Sequence, residues 1–192
     1  MASQIKVNEI IKQSGSSITI GESGTTVSIP SGATIANSGT ATGFGESNTP
    51  AFAAKFSGSV SGLTHATYVK LAFNSEVFDS GSVYDTSNYR FTPGEAGKYF
   101  IHARSIISAG GQSPNQGRIA IYKNGSINAY WRWTNTATIS DFSMQISVVD
   151  IADSDDYYEA YVYQNNSSSS TSFTINSDPS QTSLFMGYKI TT

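Results

Sequence analysis

Ten strand-length segments succeed one another between residues 50 and 190, and no stretch of helical period separates any two of them. They read PAFAAKF, YVKLAFN, RFTPG, KYFIHARSII, RIAIYKNGS, INAYWRW, SMQISVVDI, EAYVYQN, TSFTIN and SLFMGYKI. Turn formers such as Asp79-Ser80-Gly81, Pro93-Gly94, Asn124-Gly125 and Asp178-Pro179 part them. Short strands at this spacing close into a sandwich or a jelly roll. The sharpest hairpin signal is Tyr122-Lys123-Asn124-Gly125, because Asn-Gly suits the two left-handed positions of a type I′ turn. Thr, Tyr, Phe and Val supply the strands, and 17 glycines with abundant Ser and Asn supply the turns.

Several of these strands are apolar on both faces. In LFMGYKI, Leu184, Met186, Tyr188 and Ile190 alternate with Phe185, and in KYFIHARSII, Tyr99, Ile101 and Ala103 alternate with Phe100 and Ile106. A lone antiparallel sandwich keeps one face polar, so a second apolar face predicts a subunit interface. Tyr99, Ile101, Phe185 and Tyr188 are its candidate residues.

The first fifty residues follow a different rule. Ile18/Ile20, Val27/Ile29 and Ala33/Ile35 form apolar-polar-apolar triplets, broken by Gly21, Gly24, Pro30 and Gly32. Two apolar side chains per rung bury too little surface to offset the entropy of ordering one chain. The segment therefore predicts an intertwined β-stem to which identical chains contribute the missing walls. The expected organisation is an attachment segment over 1–17, a β-helical stem over 18–36, a neck over 37–49 and a jelly-roll head over 50–192. Ile5, Val7, Ile10 and Ile11 are the candidate attachment residues.

Composition narrows the function. Charged residues are 13% of the chain, and a net charge of −3 is small and of the wrong sign for holding phosphates, which disfavours nucleic acid. No apolar run reaches the roughly 20 residues that insert into a bilayer. The absence of cysteine removes disulfides, thiolate metal sites and thiol nucleophiles together.

Residues 69–101, VKLAFNSEVFDSGSVYDTSNYRFTPGEAGKYFI, resemble the globular head of complement C1q-like and tumour-necrosis-factor-like proteins. Phe73, Tyr84-Asp85, Phe91, Pro93, Gly97 and Tyr99 occupy the places of that pattern. RIAIYKNG, VVDIADSDDYYEAYVY and SLFMGYKI are similar to the blocks that follow it, so the resemblance covers roughly residues 50–190. One extra residue stands between Pro93 and Gly97, and no collagen-like stalk precedes the head. The resemblance implies an all-β, ten-stranded antiparallel jelly-roll sandwich assembled as a homotrimer. The segment GTTVSIPSG resembles the stems of marine phage fibre proteins, which implies a virion: a protein made in the host cytoplasm and exposed on the particle surface. Other virion proteins would hold the N-terminal segment, and the head would meet a host cell-surface glycan or protein. A capsid decoration or head fibre, and a secreted lectin-like adhesion module, are the alternative readings.

Chemistry is thinly provided for. Asp150, Asp153, Asp155, Asp156 and Glu159 form the one dense acidic run, and glycan cleavage would need two of them opposed across a groove. A turn between strands uses such carboxylates on its own amides. No catalytic residue and no cofactor is therefore expected, with Asp153, Asp155 and Asp156 standing as the candidate ligands should calcium bind. His65 and His102 lie far apart and complete no triad. The candidate receptor-binding feature is Tyr130, Trp131, Arg132 and Trp133, since flat aromatics stack on sugars and a guanidinium bonds hydroxyls or carboxylates. In a strand the two tryptophans share one face and Tyr130 and Arg132 the other.

Overall fold

The computed structural model describes residues 10–11, 14–15, 17–39, 48–135, 137–176 and 183–190. The chain divides into two units, Met1–Phe44 and Gly45–Thr192. Among the described residues of the second unit there are thirteen strands and no helix. They are β1 (Ala51–Lys55), β2 (Val60–Ser61), β3 (Tyr68–Lys70), β4 (Ser75–Ser80), β5 (Tyr84–Asp85), β6 (Arg90–Phe91) and β7 (Gly97–Ser108). The rest are β8 (Pro114–Lys123), β9 (Ser126–Thr134), β10 (Asp141–Ala152), β11 (Tyr158–Asn166), β12 (Thr174–Ile175) and β13 (Leu184–Lys189).

Two antiparallel sheets face each other. Sheet A runs β10–β7–β13–β1–β4, with β12 and β2 continuing beside the far end of β7. Sheet B runs β5–β6–β11–β8–β9, and β3 pairs with β11. The ten anticipated strands thus gain short companions. RFTPG yields only Arg90–Phe91, and TSFTIN only Thr174–Ile175. β4, SEVFDS, was not among the expected strands because its polar residues disguise it. It lies at the sheet edge beside β1, across a register shift at Ala53/Ala54, where polar side chains reach solvent.

β7 shows how the sandwich is filled. Its burial alternates strictly from Tyr99 to Ile107, with Tyr99, Ile101, Ala103 and Ile107 fully buried. Aromatic rings dominate what they meet. Phe52 stacks on Tyr84 and Phe91 at centroid distances of 4.7 and 4.5 Å, and Phe185 meets it edge-on at 5.0 Å. The Tyr84 hydroxyl donates to the Phe73 carbonyl at 2.8 Å, so this ring enters the core without an unsatisfied group. Asp79 accepts from the amides of Val83 and Tyr84, which fixes the turn that delivers the ring.

The β8–β9 hairpin closes as its sequence predicts. Asn124 and Gly125 both take positive φ, 52° and 77°, as a type I′ turn requires. The Asn124 side chain also spans to the turn before β11, donating to Asp156 at 2.6 Å and accepting from the Tyr157 amide at 3.0 Å.

The N-terminal unit is another kind of object. Every described residue from 17 to 39 is exposed, and none pairs with another strand. Turns at 22–25 and 30–33 are closed by Thr25 N to Glu22 O at 2.9 Å and Ala33 N to Pro30 O at 3.1 Å. Among the described residues the segments between these turns join no ladder.

Candidate binding surfaces

Residues that stand opposite one another share a face of a sheet, so register reads out the surfaces directly. On the outer face of sheet A, Phe78, Ala53, Met186, His102 and Ser147 form one row across five strands. Ser80, Ala51, Tyr188, Phe100 and Val149 form the next, and Lys98 with Ile151 follows. Phe100 and Tyr188 pack ring against ring at 5.3 Å. At the edge of the sheet Val149 and Ile151 are 64% and 67% exposed, and Phe78 is 47% exposed at the other edge. His102 lies among them, its Nδ1 2.8 Å from the Ser147 hydroxyl. Burial, and then the neighbouring Arg104 charge, lower its pKa.

This arrangement corrects three of the four interface candidates. Tyr99, Ile101 and Phe185 are completely buried inside the head, so their side chains cannot meet another subunit. Only Tyr188 lies on the outer face. On β7 the outward residues are Phe100 and His102 rather than Tyr99 and Ile101, and on β13 Phe185 lies on the face opposite Tyr188. The residues missed were Phe100, Met186, Val149 and Ile151, and the Val-Val-Asp-Ile run of β10 held their signal.

The β9 segment splits as its period demands. Trp133 turns to the core, stacked on Phe142 at 5.0 Å with the rings 8° from parallel. Trp131, 42% exposed, lines an open groove of about 660 Å³ with Arg104, Ile106, Ser143, Met144 and Gln145. Tyr130 and Arg132 point the other way, from the outer face of sheet B. The four expected receptor contacts therefore do not converge on one site.

The acidic run is likewise divided. Asp156 is held by Lys123 at 2.9 Å, by the Asp153 amide at 2.8 Å and by Asn124. Lys123, followed by these hydrogen bonds, lowers its carboxyl to a pKa of about 2. Lys123 also reaches Asp150 at 3.2 Å and the Ile151 carbonyl at 2.7 Å. The cation of this turn is thus a lysine ammonium. Asp153 and Asp155 are exposed, and among the described residues no group of three His, Cys, Asp or Glu converges on a point a metal could occupy. The proposed grouping of Asp153, Asp155 and Asp156 as ligands is not formed. Glu159 lies apart, on sheet B, where its Oε1 receives Lys70 at 2.6 Å and the Arg90 Nη2 at 2.8 Å. Burial pushes this carboxyl upward, but the two cations outweigh it and hold the pKa below the usual range.

Of the attachment candidates, Ile5 and Val7 lie outside the described residues, and Ile10 and Ile11 are exposed. Ile18, Ile20, Val27, Ile29 and Ile35 are exposed in the same way.

Two antiparallel sheets, with the first and last of the described strands side by side, make the head a jelly-roll sandwich. The globular domain of zebrafish complement 1qA protein superposes with a TM-score of 0.50 over 74% of this chain and 98% of that one, at 13% identity. Murine APRIL superposes with a TM-score of 0.54 over 73% of this chain and 98% of that one, at 8% identity. No protein-family model and no curated protein sequence matches the chain. The likeness is one of fold.

Proposed function

We propose that the chain is a homotrimeric structural fibre protein of a bacteriophage particle. Its N-terminal region attaches to other virion proteins, and its head is presented for binding to a host surface without catalysing a reaction. The observation that carries the assembly is the outer face of sheet A. Met186, Tyr188, Phe100, Val149 and Ile151 make an apolar field where a solitary sandwich would be polar, and such a field marks a contact with another protein surface. The exposed Ile and Val pairs of residues 18–35 support the same reading, because one chain leaves them without an interior. The stem's resemblance to phage fibres supports the particle.

Light scattering on the full chain tests the assembly. The expected mass is three times 20.4 kDa. Val149→Glu, which places a charge at the exposed edge of the apolar field, should lower that mass while leaving the β-type circular dichroism unchanged. A monomeric wild-type chain would overturn the trimer. Immunogold electron microscopy of particles carrying the protein tests the rest, with label expected on the virion surface and its absence overturning the fibre role.

A further inference from the structure

The outer face of sheet B carries tyrosines gathered around one guanidinium. Tyr161 and Tyr163 project from β11, with Tyr68 of β3 opposite Tyr163. Tyr122 stacks on Tyr161 at 4.0 Å, and Tyr68 and Tyr163 lie 5.3 Å apart. The Arg118 guanidinium sits 4.8 Å from the Tyr163 ring centre and 5.4 Å from that of Tyr130. These side chains are half-buried or exposed, so their rings form a surface and leave the core to others.

Two features say what that surface would take. Arg118 donates through Nε to Gln116 at 3.0 Å and through Nη1 to the Tyr68 hydroxyl at 3.3 Å. That uses two of its five N–H groups. Arg132 stands directly opposite Arg118 in the β8–β9 register. Like charges in opposed positions repel across a strand pair, and a bound anion shared between them removes the repulsion. Among the described residues no ion pair holds either arginine, whereas Lys70 and Arg90 on the same sheet are both committed to Glu159.

We propose that this face recognises an acidic glycan. Pyranose rings lie on the tyrosines, and a carboxylate or sulfate is held between Arg118 and Arg132. This rests on the reading of the head as a surface-binding module and names its ligand class. Of the expected receptor residues, Tyr130 and Arg132 belong to this face, and the two tryptophans do not.

Isothermal titration of the full chain tests it with three oligosaccharides of equal length: a polygalacturonate, a dextran sulfate and an uncharged dextran. The acidic sugars should bind, with the uncharged one at least tenfold weaker, and the stronger of the two acidic sugars identifies the anion. Arg132→Gln and Arg118→Gln should each weaken acidic binding about tenfold or more. Arg118→Lys should fail to restore it, because the fork is lost. Trp131→Ala, on the opposite side of β9, should bind as wild type. Because Arg132 is exposed, Arg132→Gln keeps the test valid even if changes at Arg118 disturb the fold. Equal binding of the uncharged sugar, wild-type binding by Arg132→Gln, or no acidic binding by a chain of trimeric mass would each overturn the proposal. Acidic binding by a monomeric chain would overturn the trimer and leave this surface standing.

Discussion

Gly187 sets how closely β13 can approach the aromatic core. A Cβ there would lie 3.1 Å from the Phe100 carbonyl oxygen, 3.1 Å from the Phe52 ring and 3.4 Å from the Phe91 ring. The carbonyl belongs to the ladder and cannot move alone, so Gly187→Ala should destabilise the head by about 2 kcal/mol, measured by urea unfolding. Substitution at Gly94, whose Cβ would meet nothing within 4 Å, costs only its positive φ and gives a strain control free of crowding. At this scale the sequence was partly legible. Phe73, Tyr84, Phe91 and Tyr99 matched a known pattern, and all four are buried in the core. What Asp156 does was not legible, because its partners Lys123 and Asn124 come from a different hairpin.

Those contacts tie two turns together, and the elements inherit a pH dependence from them. Lys123 and the bonds around it hold Asp156 at a pKa of about 2 in the folded chain, below an unfolded aspartate at about 4. The folded state therefore binds fewer protons over that interval. Its stabilisation is complete above pH 4 or so and is lost as pH falls toward 2. Asp156→Asn should be less stable than wild type at neutral pH, and the difference should shrink on acidification, as urea midpoints at several pH values would show. Alternation made the long strands legible, since Ile101 and Val162 recur with period two among their neighbours. It could not say which face is the core, because a period of two is satisfied equally with either face inward. That leaves Tyr99 and Ile101 indistinguishable from Phe100 as interface residues, whereas Phe185, three positions before Tyr188, has to lie on the opposite face of β13. The polar residues Ser75, Glu76 and Asp79 make β4 illegible as a strand, because they belong to an edge, where pairing costs no polar burial.

For the whole molecule, the exposed apolar pairs of residues 18–35 make a prediction separate from the head. Ile20→Ser combined with Ile29→Ser removes two of the exposed apolar side chains of the N-terminal unit and leaves every residue of the head unchanged. If identical chains cover them, the double variant should retain the β-type circular dichroism of the head. Its thermal transition should nonetheless fall, and fall further on dilution, because assembly contributes to stability by mass action. The adjacency of the first and last strands also governs when the head can exist at all. Phe52 stands opposite Gly187, and β13 is the strand that joins β1 to β7. A ribosome that has released everything up to residue 176 has produced a sheet A still missing its middle. The head must therefore form after translation has passed β13, with β1 and β4 waiting unpaired from β7 until then.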